Sequence, residues 1–153
     1  PKTIAVEGTT LLYFAYTSLI EPSKLDEVAP GAEFAFIAHL PEWGLGFPYK
    51  NGGGGLPSAA PEPGATVWGA VFELSRPQMK AIDQAEKKEG RKPATVEVMD
   101  RGGRRHDVTA HLHETNGKKY KPDAAYLRSM VRGSKHWQLP VGWIAGLEEH
   151  LSR

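Results

Sequence analysis

The sequence predicts an α+β fold built on a mixed or largely antiparallel, strongly curved sheet. Three observations indicate this class: the predicted strands come in consecutive runs, the predicted helices are gathered between and after them, and two strands flank a Gly-Gly turn. The chain of 153 residues is long enough to bury a substantial core, and we expect residues 1–153 to form a single domain.

The first half of the chain predicts two strands, one helix and a long loop. Residues 10–19 are apolar on both faces, which predicts a central strand. A short helix with proline in its first turn is expected at 22–28, and a second strand at 34–40. Residues 41–65 hold much of the glycine and proline, and this composition predicts a structureless loop. Within it, residues 44–64 are expected to be more mobile than the strands around them and to lie at the rim of a pocket.

A third strand and a helix are expected after the loop. Residues 66–74 predict a strand in which Gly69 allows another group to approach closely. Ser75 is the expected N-cap of a helix over 77–88, with proline just inside. The three-and-four spacing places four residues on the inner face of this helix: Met79, Ile82, Ala85 and Glu86.

A hairpin and two helices complete the predicted elements. Residues 92–100 and 105–114 alternate as strands around a Gly-Gly turn, which is a strong hairpin signal. Helices are expected at 123–135 and 139–151.

The composition excludes several functional classes. Hydrophobic residues make up 40% of the chain and charged residues 24%, as in ordinary soluble proteins. The net charge of +1 gives no reason to expect nucleic acid or an anionic membrane as a partner. Cysteine is absent, which excludes disulfides and thiolate nucleophiles. No spanning segment or signal-peptide pattern is visible, so we expect a cytoplasmic protein.

Two motifs have simple explanations. Gly52–Gly55 lacks the Lys-Ser/Thr that a phosphate-binding loop carries after its glycines, so a flexible loop over a site is the preferred interpretation. His111 and His113 alternate on one predicted strand, and two rings on one face can hold a metal. Because no third ligand stands out nearby, ordinary sheet histidines are preferred and no metal site is predicted.

Several segments together resemble the γ-glutamylcyclotransferase family. Each motif is weak alone, but they occur in the family's order and at similar spacing across nearly the whole chain. The segments that carry the resemblance are Tyr13-Phe14-Ala15-Tyr16-Thr17-Ser18-Leu19, Val67-Trp68-Gly69-Ala70-Val71-Phe72, Ala81-Ile82-Asp83-Gln84-Ala85-Glu86, Pro122-Asp123-Ala124-Ala125-Tyr126 and, further on, Gly133-Ser134-Lys135, Leu139-Pro140 and Trp143.

The resemblance implies a small curved mixed β-barrel with flanking helices. It also implies an enzyme that cyclises a γ-glutamyl amide to 5-oxoproline and releases an amine or amino acid. The expected partner is a small γ-glutamyl compound, and the chain is expected to be a monomer or a homodimer. No metal or organic cofactor is expected, because the nucleophile belongs to the substrate and binding supplies proximity.

The resemblance also assigns the site residues. Backbone N–H groups of four residues are expected to face an anion, either the substrate carboxylate or the oxyanion of ring closure: Tyr16, Thr17, Ser18 and Leu19. Glu86 matches the acid–base position, because a carboxylate must take a proton from the substrate ammonium and return one to the leaving nitrogen. Glu89 is the competing alignment, and Tyr126 matches a tyrosine that relatives use at the substrate.

Two departures from the family pattern leave an alternative open. Thr17 stands where relatives have glycine, and a positive φ there costs threonine about 1 to 3 kcal/mol. Pro93 stands where many relatives have an aromatic residue, so one pocket wall is expected to be lost. The alternative is therefore a non-catalytic cyclotransferase-like module that binds a small acidic metabolite or partner.

Overall fold

The computed structural model describes residues 10–114 and 116–152. None of the helices within these ranges is long and apolar enough to cross a membrane. In chain order, the elements are β1 (Leu11–Ala15), a 3₁₀ turn (Ser18–Ile20), α1 (Pro22–Val28), β2 (Glu33–Lys50), β3 (Gly55–Leu74), α2 (Arg76–Lys87), β4 (Lys92–Asp100), β5 (Arg105–Leu112), α3 (Ala124–His136) and α4 (Val141–Leu151).

The five strands form a closed barrel in the order β1-β3-β2-β4-β5. Strand β1 pairs parallel with β5, where Tyr13 lies opposite Thr109, and antiparallel with β3. The other pairs are antiparallel, including the β4–β5 hairpin that the Gly-Gly turn predicts. The predicted α+β class and the small mixed barrel with flanking helices are therefore confirmed.

Strand β1 is buried on both faces, as expected of a central strand. Tyr13 and Ala15 pack into one core cluster, to which α2 contributes Ile82. Phe14 points the other way and packs into a second cluster with Val71 of β3. The strand is shorter than expected, because the chain leaves the sheet after Ala15 and enters the 3₁₀ turn.

The expectation of a structureless loop over residues 41–65 is wrong. Strands β2 and β3 continue through this segment as an antiparallel ribbon, and the tight turn between them is confined to residues 51–54. The ladder shifts register between Pro41 and Trp43, where Glu42 has a φ of 66°, and again between Gly46 and Tyr49. Proline and glycine are tolerated in such strands at bulges and along free edges.

Helix α2 begins at a capping box. Ser75 Oγ accepts a hydrogen bond from the Gln78 backbone N–H, and the Gln78 side chain accepts one from the Ser75 N–H. The buried residues of the helix are Met79, Ile82 and Glu86, so the predicted inner face is confirmed. This spacing brings a carboxylate to the core side of the helix.

Helix α3 packs against the 3₁₀ turn that follows β1. A Cβ atom at Gly133 would lie 2.5 Å from the carbonyl carbon of Ile20, so glycine allows the two backbones to meet. Trp137 Nε1 also donates a hydrogen bond of 2.9 Å to the Ile20 carbonyl. The helix therefore fixes the position of the turn.

We expect Gly133→Ala to destabilise the fold by about 1 to 3 kcal/mol, because the added methyl group meets backbone atoms that cannot rotate away. Gly146→Ala is the matched control, since this exposed glycine of α4 has open space around its Cβ position. The control is expected to stabilise the protein by up to about 1 kcal/mol. Urea unfolding measures both, and equal stability of Gly133→Ala and the wild type would contradict the close packing.

Candidate active site

The turn after β1 places Thr17 beside the end of α2. Thr17 has a φ of −95° and a ψ of −160°, which is extended backbone, and its carbonyl accepts a bond from the Ile20 N–H. The strain expected from a positive φ is therefore absent at this residue. Its side chain does not cap the turn, because the hydroxyl donates a 2.9 Å hydrogen bond to Glu86 Oε2 instead.

Helix α2 ends in a Schellman turn that brings Arg91 back to Glu86. The Arg91 N–H donates to the Glu86 carbonyl, and the Gly90 N–H donates to the Lys87 carbonyl. Gly90 has a φ of 82°, which glycine adopts without a steric penalty. This turn places Arg91, the residue after Gly90, next to Glu86, which lies five positions earlier in the chain. Here those two residues carry opposite charges.

Glu86 is buried, with 2% of its surface exposed, and three donors hold its carboxylate. Arg91 Nη1 forms an ion pair with Oε1. Thr17 Oγ1 donates to Oε2, and the Tyr13 hydroxyl lies 3.4 Å from the same oxygen. Glu86 therefore lies beside the first turn. Its acid–base role remains a prediction.

Arg91 is buried and connects the elements of the site, with 1% of its surface exposed. Its Nε donates to the Pro57 carbonyl of β3 at 2.7 Å, and its Nη1 also contacts Glu89 Oε1 at 2.6 Å. Burial by itself would lower the pKa of Arg91, but the negative charge of Glu86 and further neighbouring groups raises it well above the ordinary value. The guanidinium is therefore a permanent cation.

Tyr126 lies in the first turn of α3, where the cap residue Asp123 accepts a bond from its backbone N–H. Its hydroxyl donates to Glu89 Oε1 at 2.6 Å and accepts from Arg91 Nη2 at 3.0 Å. The Ser18 backbone N–H also donates to this hydroxyl, at 3.3 Å. Burial raises the pKa of Tyr126, so the hydroxyl stays protonated at neutral pH.

The side chains of Tyr16 and Leu19 lie in the core rather than at Glu86. The Tyr16 hydroxyl donates to the His111 carbonyl at 2.6 Å and accepts from the Ala59 N–H at 3.1 Å. Burial raises the pKa of Tyr16 to about 12. Leu19 belongs to the core cluster that contains Tyr13. The expectation for both residues concerned their backbone N–H groups, and it stays a prediction.

His111 and His113 have separate partners. The buried ring of His111 contacts Asp83 Oδ1 through Nε2 at 2.7 Å. His113 lies after the end of β5, and its Nδ1 is 2.9 Å from the Glu114 carbonyl oxygen. Within residues 10–114 and 116–152, no three His, Cys, Asp or Glu side chains are close enough together to hold a metal ion.

Pro93 lies on β4, two residues after Arg91. Together with Arg91 and Lys92 it lines a cavity of about 430 Å³, which also reaches Asp83 of α2. A proline at this position thus borders open space near the candidate site. The expected loss of a pocket wall remains a prediction.

Sequence reasoning missed Arg91 and the hydroxyl role of Thr17. A signal for Arg91 was present: Glu86 lies on the buried face of the helix, Gly90 ends it, and a cation follows directly. A glycine just past a helix predicts the reversal that joins these positions. Glu89 was considered only as a rival to Glu86, whereas the structure brings both carboxylates to one guanidinium.

Comparison with known families assigns the chain to one of them. The model of the AIG2-like family matches residues 66–147, which is more than half of the sequence and includes Glu86, Arg91 and Tyr126. The chain belongs to the AIG2-like family.

Its relatives include γ-glutamylcyclotransferases. The γ-glutamylcyclotransferase of Bos taurus is 28% identical over 147 residues, which cover 88% of this chain and 76% of the bovine protein. The solved structure of a γ-glutamyl cyclotransferase superposes with a TM-score of 0.84 at 23% identity, over 91% of this chain and 86% of that one. A yeast γ-glutamyl cyclotransferase specific to glutathione shares the fold, with a TM-score of 0.66 at 12% identity, over 94% of this chain and 96% of that one. The resemblance inferred from the motifs is confirmed.

Thr17→Val tests the hydrogen bond to Glu86, because valine keeps the shape of threonine without the hydroxyl. A hydrogen bond to a charged group contributes about 1.5 to 3 kcal/mol, and we expect a loss of stability of this size. Thr17→Ser keeps the donor and is expected to lose less than about 1 kcal/mol. Denaturant unfolding measures both, and equal losses for the two variants would show that the hydroxyl does not matter.

Proposed function

We propose that this protein is an enzyme of the γ-glutamylcyclotransferase type, with Glu86 as its general acid and base. The proposed reaction converts a γ-glutamyl amide to 5-oxoproline and releases an amine or amino acid. The observation that carries the proposal is the buried carboxylate of Glu86, which lies between the turn at Thr17 and the buried Arg91. The curated γ-glutamylcyclotransferase relatives favour this enzyme over a non-catalytic binding module.

The residues fit the proton transfers that the reaction needs. The α-amine of the substrate is protonated at neutral pH and must lose a proton before it attacks its own γ-carbonyl carbon. A carboxylate has about four lone-pair positions, and Arg91, Thr17 and Tyr13 use three of them in Glu86. The remaining position can accept the ammonium proton, which frees the amine to form the ring C–N bond to the γ-carbonyl carbon. Glu86 can then deliver that proton to the leaving nitrogen as the amide C–N bond breaks, and the second proton lost by the attacking nitrogen passes to the released amine, which leaves as an ammonium ion.

The surroundings of Glu86 favour this role over simple anion binding. Its donors hold the carboxylate in one orientation, and positioned groups transfer protons more efficiently than mobile ones. Thr17, Glu86 and Arg91 are also shielded from bulk water, since each is at most 2% exposed. Glutathione, γ-glutamyl amino acids and γ-glutamylamines all carry the reacting group, and we propose this class as the substrate.

Glu86→Gln is the direct test of the proposed function. Glutamine keeps the size and much of the hydrogen bonding but cannot accept a proton, so we expect 5-oxoproline release to fall about 10²- to 10⁴-fold. A panel of γ-glutamyl compounds, assayed for 5-oxoproline, gives the measurement. Glu97→Gln is the matched control, because Glu97 forms an exposed ion pair with Arg105 away from the site.

The control variant, Glu97→Gln, is expected to retain wild-type turnover. If Glu86→Gln is as active as the wild type on a confirmed substrate, the acid–base assignment is wrong. If the wild-type protein binds γ-glutamyl compounds but releases 5-oxoproline from none of them, the protein is a binding module instead.

A further inference from the structure

Two hydrogen-bond donors of the site converge on a single carboxylate oxygen. Arg91 Nη1 and the Tyr126 hydroxyl both lie 2.6 Å from Oε1 of Glu89. Arg91 Nη2 and the Ser18 backbone N–H polarise that hydroxyl by donating to it, at 3.0 and 3.3 Å. Such a set of donors is built to hold an anion, and charge-assisted bonds to it are strong.

Glu89 reaches solvent, unlike the other two charged members of this cluster. Its side chain is 28% exposed, whereas that of Arg91 is 1% exposed and that of Glu86 is 2% exposed. Glu89 follows the last helical residues of α2, and its backbone N–H stays bonded to the Glu86 carbonyl. The side chain can therefore leave the cluster by rotation, without a change in the helix end.

The charges of the cluster are balanced when Glu89 is replaced by a substrate. Two carboxylates, those of Glu86 and Glu89, face the one guanidinium of Arg91. A γ-glutamyl substrate carries an α-ammonium and an α-carboxylate on the same carbon. Pairing the ammonium with Glu86 and the carboxylate with Arg91 leaves no net charge. A third carboxylate beside Glu89 would instead be repelled.

We propose that Arg91 and Tyr126 form the subsite for the substrate's α-carboxylate, and that Glu89 occupies this subsite until the substrate displaces it. This inference rests on the proposed function, because it takes a γ-glutamyl compound as the ligand. Arg91 is then a specificity-determining residue, and Glu89 is an internal competitor of the substrate rather than the base. The Ser18 backbone N–H is engaged by the Tyr126 hydroxyl. The other backbone N–H groups of residues 16–19 are then the proposed donors to the oxyanion of ring closure.

The test of this subsite is to remove the side chain of Glu89, the proposed competitor of the substrate. Glu89→Ala is expected to tighten calorimetric binding of γ-glutamylalanine by about five-fold or more, since the substrate no longer displaces a charge-assisted contact. Glu89→Gln, which keeps a neutral acceptor, should fall between Glu89→Ala and the wild type. A ligand control uses the same compound with its glutamyl α-carboxylate converted to the carboxamide. Its affinity should change less than about two-fold, because it lacks the glutamyl α-carboxylate that competes with Glu89 and keeps only the carboxylate of its alanine.

A second variant tests the donor side of the subsite. Arg91→Lys in the Glu89→Ala background keeps the positive charge but loses the planar fork of donors. It should reverse most of the affinity gained by Glu89→Ala for γ-glutamylalanine. A thermal unfolding curve establishes that this double variant is folded.

The outcomes separate this inference from the proposed function. If 5-oxoproline is released but Glu89→Ala leaves the affinity unchanged, or improves both ligands equally, the inference is wrong and the proposed function stands. A loss of turnover in Glu89→Ala with unchanged affinity would identify Glu89 as the base and overturn the inference. If neither protein binds γ-glutamylalanine, the inference and the proposed function both fail.

Discussion

The candidate site depends on the buried ion pair between Glu86 and Arg91. A charge removed from water is costly unless a partner and further hydrogen bonds compensate it. Here each partner supplies that compensation to the other, and Thr17 and the Pro57 carbonyl add hydrogen bonds. Because these groups belong to α2, to the segment after it, to the first turn and to β3, one interaction joins the elements that surround the site.

Some of this arrangement could be predicted from the sequence. The spacing of Met79, Ile82 and Glu86 indicates a carboxylate on the buried face of a helix, and the structure buries these three residues. The Gly-Gly turn predicts the β4–β5 hairpin, because it fits a two-residue reversal between alternating strands. Both signals are local in sequence. Burial and hydrogen bonding then follow from a few neighbouring residues.

Other features depend on contacts between distant segments. Residues 41–65 form a ribbon because β2 and β3 pair with each other, and the composition of either strand alone does not reveal this pairing. The role of Thr17 depends on Glu86, which lies 69 residues away. The sequence predicts backbone strain at Thr17, because relatives have glycine there. In the structure the backbone of Thr17 is extended, and its hydroxyl donates to Glu86. Arg91 is the intermediate case. Gly90 in the sequence indicates the turn that precedes it, but its ion pair with Glu86 also depends on how deeply both side chains are buried.

The most direct test of the central interaction is a double-mutant cycle of unfolding free energies for Glu86→Gln, Arg91→Met and the double variant. Breaking a buried pair by removing one partner costs about 3 to 5 kcal/mol, because the other charge is left buried and unpaired. We therefore predict that Arg91→Met is strongly destabilising and that the double variant loses clearly less stability than the two single losses combined, with a coupling of at least about 1 kcal/mol. Strictly additive losses would contradict the claim that this ion pair organises the site.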